Sequence, residues 1–334
     1  MKRIRIGVIG AGRIGKIHAE TIATRVAGAE LAAVADVDRP AAQELAGRFH
    51  TPVVTADYRD LLDDSTIDAV AICSATDTHA PIIQAAAAAG KHIFCEKPID
   101  HDLGRIDASL QAVEAAGVKL LVGFNRRFDP NFRKVRELVA AGKVGRPHLL
   151  RITSRDPAPP PIEYVKVSGG LFLDMTIHDF DMARFLIGSE VEEVYTAAAV
   201  LVDPAIGAAG DVDTAVIILK FRNGVIGTID NSRQAVYGYD QRVEVFGSAG
   251  MVAVANNTPD THVFYNADGA HASLPLYFFL ERYMDAYVAE MQAFVECVVN
   301  DTPSPVTGLD GRIPVAIGLA ARQSYLENRP VRLI

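Results

Sequence analysis

The sequence has few cysteines, no long apolar run and fewer basic than acidic residues. Its 334 residues include Cys73, Cys95 and Cys297, with 33 Lys and Arg against 41 Asp and Glu and a net charge of -8. Three scattered cysteines form neither a disulfide framework nor a zinc pattern, which favours a reducing compartment and predicts a cytoplasmic protein. The acidic balance argues against nucleic acid as a partner. No apolar run approaches the length of a membrane span, so we expect no membrane partner.

The length of the chain predicts two domains. A chain of 334 residues is longer than one hydrophobic core usually supports. We place the boundary where an alternating pattern of strands and helices ends, which gives domains 1–123 and 124–334. The apolar residues near the start lead directly into the first glycines. We therefore interpret Met1 to Val8 as the start of a first strand rather than as a secretory signal.

Short apolar runs alternate with helical patterns in the first domain. Runs of this length are typical of strands that are buried on both faces. The clearest helical segment has Pro81 in its first turn and Gly90 at its end. The alternation predicts a doubly wound parallel sheet of the Rossmann type. The predicted strands are Ile4–Ile9, Glu30–Ala35, Ala69–Cys73, His92–Cys95 and Lys119–Val122, with a weaker one near Val53.

The second domain has longer strand patterns, which predict an α+β architecture. Asn223 and Gly224 lie between two of them and are a strong hairpin signal. We expect a large open, mostly antiparallel sheet, and a face without helices would be buried against another subunit in a homo-oligomer. The predicted strands are Val144–Ser154, Val191–Val200, Thr214–Phe221, Val225–Ser232 and Gln241–Phe246, and the predicted helices are Gly170–Ile187, Tyr283–Asn300 and Gly311–Asn328.

A glycine-rich turn follows the first predicted strand. Gly10 permits a tight turn, Gly12 lets the backbone approach a pyrophosphate, and Gly15 allows close packing of helix on sheet. The turn opens a predicted helix from Arg13 to Ala23, whose N-terminus offers free N–H groups and partial positive charge. A strand, this turn and a helix in succession predict a dinucleotide site, with a plain glycine turn as the alternative.

Asp36, at the end of the second predicted strand, indicates which dinucleotide binds. It lies about 20 residues beyond Gly15, where a carboxylate accepts hydrogen bonds from the adenosine ribose hydroxyls. The carboxylate would repel a 2′-phosphate, so we predict NAD rather than NADP as the cofactor. Arg39 is the one feature that favours NADP instead, because a nearby arginine can accommodate the 2′-phosphate.

Further cofactor contacts are predicted at the carboxyl ends of later strands, where ligands bind in open parallel sheets. Ser74, Thr76 and His79 follow the fourth predicted strand. They either line the central part of the cofactor or cap the helix at Pro81. The predicted cofactor-binding residues are Gly10, Gly12, Arg13, Ile14, Gly15, Asp36, Ser74, Thr76, His79 and Glu96.

The predicted chemical groups come from two segments. Lys97, in the triplet Glu96-Lys97-Pro98 after the fifth strand, can donate to a substrate oxygen, although a lone lysine there is usually a solvated loop residue. Asp174 and His178 share one face of a predicted helix with Asp181. A carboxylate beside an imidazole orients it and raises its basicity, while a solvated polar stripe is the commoner alternative. Without a third strong ligand motif, we predict no metal site.

Taken together, the glycine turn, Asp36, the Glu-Lys-Pro triplet and the helix with Asp174 and His178 resemble the Gfo/Idh/MocA oxidoreductases over essentially the whole chain. Residues 154–157, 174–185 and 231–247 are most similar to the bacterial inositol 2-dehydrogenases of that family. The resemblance implies NAD-dependent oxidation of myo-inositol to 2-keto-myo-inositol (scyllo-inosose). It also implies a homotetramer joined by the open faces of the C-terminal sheets.

The resemblance further implies roles for individual residues. The family's catalytic residues fall on Lys97, Asp174 and His178. Either the imidazole or the lysine could be the proton acceptor, since both can act near neutral pH. Substrate-binding positions fall on Arg127, Asp156 and Tyr237, whose donors and acceptors suit a ring of hydroxyls. The arginine could instead lie at the surface, and Tyr239 could replace the neighbouring tyrosine.

Two other functions fit the same scaffold. One is a dehydrogenase for another inositol isomer or a sugar, because the fold alone does not select the substrate. The other is a catalytically inert NAD-binding sensor or regulator. The presence of all three predicted catalytic residues argues against the second function.

Overall fold

The computed structural model describes residues 3–333, which form two compact units. The first unit comprises the residues up to Phe128 together with Asp285–Val315, and the second comprises Asp129–Met284 together with the residues from Ala316 onward. Neither unit is one continuous stretch of chain. The predicted boundary between residues 123 and 124 stays a prediction. We interpreted Met1 to Val8 as the start of the first strand, and the first two of these residues, Met1 and Lys2, lie outside the described residues. Ile334 also lies outside them.

The first unit contains a six-stranded parallel sheet. Strands β1 to β6 are Ile4–Ile9, Ala29–Ala35, Val53–Thr55, Ala69–Ile72, His92–Glu96 and Leu120–Gly123, and helices α1 to α5 are Arg13–Thr24, Arg39–Phe49, Arg59–Asp63, Thr76–Ala88 and Leu103–Ala116. The strand order is β3-β2-β1-β4-β5-β6, and each neighbouring pair is parallel. This order is that of a Rossmann sheet, so the predicted doubly wound fold is confirmed.

The strands of this sheet are apolar because both of their faces are covered. Val8, Val34, Val70 and Phe94 are all fully buried. The predicted position of Pro81 in the first turn of a helix is wrong. Helix α4 begins at Thr76, with turn hydrogen bonds from residue 78 back to residue 75, so the proline lies inside it.

The second unit contains a seven-stranded mixed sheet. Its elements in chain order are α6 (Pro130–Ala140), β7 (Pro147–Arg155), α7 (Ile162–Val165), α8 (Ile177–Ile187), β8 (Val191–Ala199), α9 (Pro204–Ala208), β9 (Thr214–Phe221), β10 (Ile226–Ser232), β11 (Asp240–Gly247), β12 (Gly250–Val254), β13 (Val263–Asn266) and β14 (Gly269–Ala272). Helices α10 (Phe279–Val299) and α11 (Gly308–Glu327) each contribute residues to both units, and β15 (Val331–Arg332) follows.

The order of the large sheet is β12-β11-β7-β10-β9-β8-β15, and β13 and β14 form a separate two-stranded sheet. The β7–β10 pair is parallel and the other pairs are antiparallel, so the predicted mostly antiparallel sheet is confirmed. Along β9, buried residues alternate with exposed or half-buried ones, which is typical of a sheet covered on one face only.

The less covered face of this sheet carries a row of apolar side chains. Met251, Phe246, Leu149 and Ile226 are cross-strand neighbours in β12, β11, β7 and β10. Each of these side chains is between 39% and 58% exposed. We call this row the open face of the sheet. The opposite face is packed by α6 and α8.

Several predicted elements of the second unit have different bounds, and for two of them the backbone shows the reason. The predicted strand from Val144 starts only at Pro147, because Gly145 has a positive φ of 72° and turns the chain. The predicted helix from Gly170 is interrupted. Gly170 itself has a φ of 76°, Leu171–Met175 form a π-helical turn, and the regular helix α8 follows.

Two further features bear on the sequence-based expectations. Cys73, Cys95 and Cys297 are free and buried. Within residues 3–333, none of the helices combines the length and the apolar character needed to cross a membrane.

Candidate active site

The glycine turn of the first unit is shaped by close backbone contacts. A Cβ on Gly15 would lie 1.9 Å from the carbonyl oxygen of Gly10, and Gly10 itself has a φ of 106°. Both positions therefore require glycine. Gly12 differs, because a Cβ there would meet no other atom of residues 3–333 within 4 Å. It is the N-cap of α1 and supplies no side-chain cap, so the N–H groups of the first turn stay available to an anion.

The residues beside the turn include Asp36, which is predicted to favour NAD over NADP. Asp36 follows β2, and its carboxylate accepts hydrogen bonds from the backbone N–H of Ala11 at 2.6 Å and of Asp38 at 2.8 Å. These bonds fix the carboxylate against the glycine turn. Arg13, the first residue of α1, is exposed, and Ile14 is half-buried.

The predicted cofactor residues after β4 divide into two kinds. Ser74 and Thr76 are half-buried, and the Ser74 hydroxyl is 2.7 Å from that of Thr78. His79 is 2% exposed, and its two ring nitrogens lie 2.8 Å and 3.0 Å from the carbonyl oxygens of Pro98 and Ser74. Burial lowers the pKa of this imidazole. The ring thus joins the loop after β4 to the turn after β5.

Glu96 and Lys97 lie at the carboxyl end of β5. Lys97 is half-buried, and its peptide bond to Pro98 is cis. Glu96 is 7% exposed, and its carboxylate binds His18 of α1 at 2.6 Å. The other carboxylate oxygen accepts from the backbone N–H of Lys97 at 3.3 Å. The Glu96 side chain is therefore directed into the interior of the unit.

Arg127 follows β6 in a short 3-10 helix, Asn125–Phe128. Its guanidinium binds the carboxylate of Asp310 at 2.9 Å, and both side chains are largely buried. Burial opposes ionisation of Asp310, but Arg127 and the bonds from Thr307 outweigh it and lower the pKa of this carboxyl. The predicted substrate arginine is thus held in place within the first unit.

The second unit positions the predicted catalytic pair through an irregular helix. Asp174 lies in the π-helical turn and His178 in the first turn of α8. The backbone N–H of Thr176 donates to the carbonyl of Leu171, the five-residue spacing of a π turn. Asp211 anchors the start of this turn by accepting from the N–H of Leu171 at 2.9 Å. Such turns are frequent at functional sites.

Arg233 is the principal residue that the sequence analysis did not identify. It follows β10, is 2% exposed, and lies 3.1 Å from the carboxylate of Asp174 and 3.6 Å from that of Asp156. Burial opposes its charge, but Asp174, Asp156 and Asp211 outweigh burial and raise the pKa of the guanidinium. The hydroxyl of Tyr164 donates to the second carboxylate oxygen of Asp174 at 2.9 Å. The arginine lies within the segment 231–247 that carries the family resemblance, which was the available signal.

The structure brings Asp156 and Asp174 together but places the Tyr237 hydroxyl elsewhere. That hydroxyl donates to Asp240 at 2.6 Å and accepts from Arg155 at 3.0 Å. Arg155 in turn binds Asp230 on the open face of the sheet. Burial and the bond to Asp240 raise the pKa of the tyrosine. The alternative, Tyr239, is buried with its ring against Tyr283.

The three predicted catalytic residues are divided between the units. Lys97 belongs to the first, while Asp174 and His178 belong to the second. The substrate-binding roles of Arg127, Asp156 and Tyr237 stay predictions.

Comparisons with known proteins agree with this architecture. Residues 4–124 match the oxidoreductase family with an NAD-binding Rossmann fold, and residues 132–253 match the GFO/IDH/MocA C-terminal domain. The chain is 50% identical over 330 residues to the myo-inositol 2-dehydrogenase of Thermotoga maritima, covering 99% of this chain and 98% of that protein. It is 47% identical over 331 residues to the inositol 2-dehydrogenase of Rhizobium meliloti, covering 99% of both.

A solved structure extends the comparison to bound ligands. The scyllo-inositol dehydrogenase of Lactobacillus casei, with bound NAD(H) and scyllo-inositol, superposes with a TM-score of 0.93 at 33% identity, over 99% of both chains. The predicted Rossmann fold, NAD cofactor and family are confirmed by these matches. The chain is an NAD-dependent oxidoreductase and belongs to the Gfo/Idh/MocA family.

Proposed function

We propose that this protein oxidises myo-inositol to 2-keto-myo-inositol, with NAD as the hydride acceptor. Two relatives that are 50% and 47% identical over nearly the whole chain are a myo-inositol 2-dehydrogenase and an inositol 2-dehydrogenase. The observation that carries the proposal is the polar group of the second unit. Asp174, which precedes His178 by about one helical turn, is held by Tyr164 and Arg233, and Asp156 lies beside the same guanidinium. Such a set of acceptors and donors suits a polyol.

The residues of the first unit fit NAD. Gly12 leaves open space where a phosphate would approach, and the first turn of α1 has no side-chain cap. Asp36 is fixed against the same turn, and its carboxylate suits the ribose hydroxyls. The other predicted contacts are Gly10, Arg13, Ile14, Gly15, Ser74, Thr76, His79 and Glu96. When bound, NAD supplies the oxidising power by accepting a hydride from the carbinol carbon.

The chain's own residues move the proton. His178 removes the proton from the reacting hydroxyl, and Asp174 orients the imidazole and stabilises the imidazolium that forms. The ion pair with Arg233 holds the carboxylate of Asp174 in one orientation. Lys97 donates to the substrate oxygen and is the alternative proton acceptor. Proton transfer of this kind contributes about 10²- to 10⁴-fold to the rate.

The remaining polar residues are assigned to substrate hydroxyls. Asp156 accepts from a hydroxyl, while Arg127 and Tyr237 donate. In the described structure the last two are bound to Asp310 and to Asp240. Their roles therefore rest on the family resemblance more than on the geometry.

We also propose a cytoplasmic homotetramer that is joined through the open faces of the C-terminal sheets. The apolar row Met251, Phe246, Leu149 and Ile226 supports the contact, because an isologous interface needs such a patch on each subunit. Three free, buried cysteines support a reducing compartment. Light scattering on the purified protein tests the size, and a monomer or a dimer would contradict it.

A panel of polyols with NAD and NADP tests the proposed reaction, with absorbance of the reduced cofactor as the measurement. We expect the highest kcat/KM with myo-inositol and NAD. A higher value with scyllo-inositol would replace the proposed substrate, and the 33% identical relative from Lactobacillus casei makes this the second candidate. NAD binding without turnover of any polyol or sugar would favour the inert sensor instead.

A further inference from the structure

A cluster of three titratable side chains lies buried in the first unit behind Lys97. It consists of His18 from α1, Glu96 from the end of β5 and Glu290 from α10, and we call it the buried acid cluster. None of the three is more than 7% exposed. One nitrogen or oxygen atom from each lies within 4.8 Å of the others. Buried ionisable groups without a solvent-facing side are uncommon and call for a physical explanation.

Glu96 is the central member, because it makes hydrogen bonds in two directions. One carboxylate oxygen lies 2.6 Å from Nε2 of His18, and the other accepts from the backbone N–H of Lys97 at 3.3 Å. A carboxylate can only accept, so Nε2 of His18 carries the hydrogen in this pair. The carboxylate therefore joins the helix that follows the glycine turn to the backbone of the predicted catalytic lysine.

Glu290 is the second carboxyl group of the cluster. The residue is fully buried, and within residues 3–333 neither of its side-chain oxygens has a hydrogen-bond partner. Burial, with a smaller effect from the charge of Glu96, raises the pKa of Glu290 well above its ordinary value. The raised pKa favours the neutral form of Glu290, which is also the form that a fully buried carboxyl group without hydrogen-bond partners prefers.

The surroundings of the cluster are apolar. The His18 ring lies 4.7 Å from the ring of Phe94 and 5.7 Å from that of Tyr287. Hydrogen bonds to a charged group are stronger in such an environment than in water. The other titratable groups that face Glu96 are Cys73, Cys95 and His79. Burial raises the pKa of both thiols, so they are neutral and do not compete for the charge.

We propose that His18 and Glu290 are positioning residues for Lys97, acting through the carboxylate of Glu96. His18 fixes one oxygen of that carboxylate, Glu290 lies within 4.8 Å of both groups, and the second oxygen holds the backbone of the lysine. The glycine-turn helix and the lysine are thereby kept in one geometry. This inference deepens the proposed function and rests on the role of Lys97 in it.

Replacement of His18 tests the first part of the proposal. His18→Leu removes the donor to Glu96, and we expect kcat to fall by about 100-fold, the effect of roughly 1 Å of misplacement, while the Kd for NAD stays unchanged. His18→Gln restores an N–H donor and should recover most of kcat. The matched control is Thr21→Val on the same helix, because Thr21 is fully buried and its hydroxyl has no hydrogen-bond partner within residues 3–333.

Three outcomes would overturn this part. Wild-type kcat in His18→Leu would show that the imidazole does not position the lysine. Equal losses in kcat and in NAD affinity would indicate general damage to the unit. A gain in melting temperature on adding one equivalent of Zn²⁺ to the wild type, absent in His18→Leu, would make the cluster a metal site instead.

A labelling experiment separates this proposal from the proposed function, because it needs no substrate. An amine-reactive aldehyde with borohydride modifies Lys97, and peptide mass spectrometry measures the rate. We expect a changed rate in His18→Leu and wild-type rates in His18→Gln and Thr21→Val. If no polyol is oxidised but these rates differ as expected, the proposed function fails and the positioning role stands. Equal rates in all four proteins would overturn the positioning role.

The pH dependence of stability tests Glu290. A carboxyl whose folded pKa is raised binds a proton in the folded state that the unfolded state releases, so stability falls as pH rises above the ordinary value of 4.5. Glu290→Gln cannot lose a proton. We therefore expect its melting temperature, relative to the wild type, to increase from pH 5 to pH 8. A constant difference over that range would contradict a protonated Glu290.

Discussion

The two units build their parts of the candidate site by different means. In the first unit, the cofactor turn depends on backbone geometry. Gly10 and Gly15 leave no room for a side chain, and the N–H of Ala11 fixes Asp36. In the second unit, the site depends on side-chain charge, because one buried guanidinium, Arg233, lies beside the carboxylate of Asp174. A site of the first kind is sensitive to added volume, and a site of the second kind is sensitive to lost charge.

Loss of the predicted base should have the largest effect on activity. His178→Ala removes the proton acceptor of the second unit, and we expect kcat to fall by about 10²- to 10⁴-fold. The Kd for NAD should stay unchanged, because the predicted NAD contacts lie in the first unit. Stopped-flow measurement of NADH formation and calorimetry of NAD binding check the two values. A variant that keeps its turnover would contradict the assignment of His178.

Loss of the buried guanidinium should have the largest effect on stability. Arg233→Met leaves the carboxylates of Asp174 and Asp156 without their cation, and breaking such a buried pair costs about 3–5 kcal/mol in the free energy of unfolding. The control is Arg151→Met, whose exposed pair with Glu244 should contribute at most about 1 kcal/mol. Urea denaturation measures both. Similar losses in the two variants would remove the proposed difference between the units.

Added volume in the glycine turn should lower stability at one position, Gly15, and weaken cofactor binding at another, Gly12. Gly15→Ala places a Cβ against the backbone of Gly10, and we expect a loss of about 1–3 kcal/mol in the free energy of unfolding. The new Cβ of Gly12→Ala meets no atom of the described residues within 4 Å, so the free energy of unfolding should stay within about 0.5 kcal/mol of the wild-type value. NAD binding by Gly12→Ala should weaken by about 1–3 kcal/mol, roughly fivefold to 150-fold in Kd.

Thermal unfolding and calorimetry with NAD measure these two effects in the same samples. A Gly12→Ala protein that binds NAD as tightly as the wild type would show that the pyrophosphate does not approach this turn.

Removal of the carboxylate beside the turn should have the smallest effect. Asp36→Ser deletes a charged hydrogen-bond acceptor for the ribose, and we expect NAD binding to weaken by about 1.5 kcal/mol, roughly tenfold. The ratio of kcat/KM for NAD to that for NADP should fall as well, because the repulsion of a 2′-phosphate is lost. Arg39→Ala is the companion variant, and it should lower activity with NADP only. An unchanged ratio in Asp36→Ser would contradict the selection of NAD by this carboxylate.

The first unit could be predicted from the sequence in some detail. Its apolar runs correspond to the buried strands β1, β2, β4, β5 and β6, because strands that are covered on both faces need continuous apolar residues. The cofactor turn was equally predictable, since its three glycines lie within six residues of the chain. The start of the helix around Pro81 was harder to predict, because the hydroxyl and backbone hydrogen bonds that start this helix at Thr76 produce no periodic pattern in the sequence.

The second unit was predictable only in outline. The long strand patterns and the hairpin signal at Asn223 and Gly224 predicted the sheet. The π-helical turn at Leu171–Met175 was not predicted, because the carboxylate that anchors its first N–H belongs to Asp211, 40 residues further along the chain. Tyr237 was chosen by resemblance. Its hydroxyl lies in the network of Arg155 and Asp240, which only the register of the strands brings together.

The sequence by itself determined the alternation of strands and helices in the cofactor unit, the glycine turn and the carboxylate that follows β2, because each of these depends on residues close together in the chain. Only the tertiary structure decided the environment of the charged groups. It placed Arg233 beside Asp156 and Asp174, and it directed Glu96 inward to His18 and Glu290. The physical reason is that desolvation and charge pairing depend on distance in space, which the spacing of residues along the chain does not record.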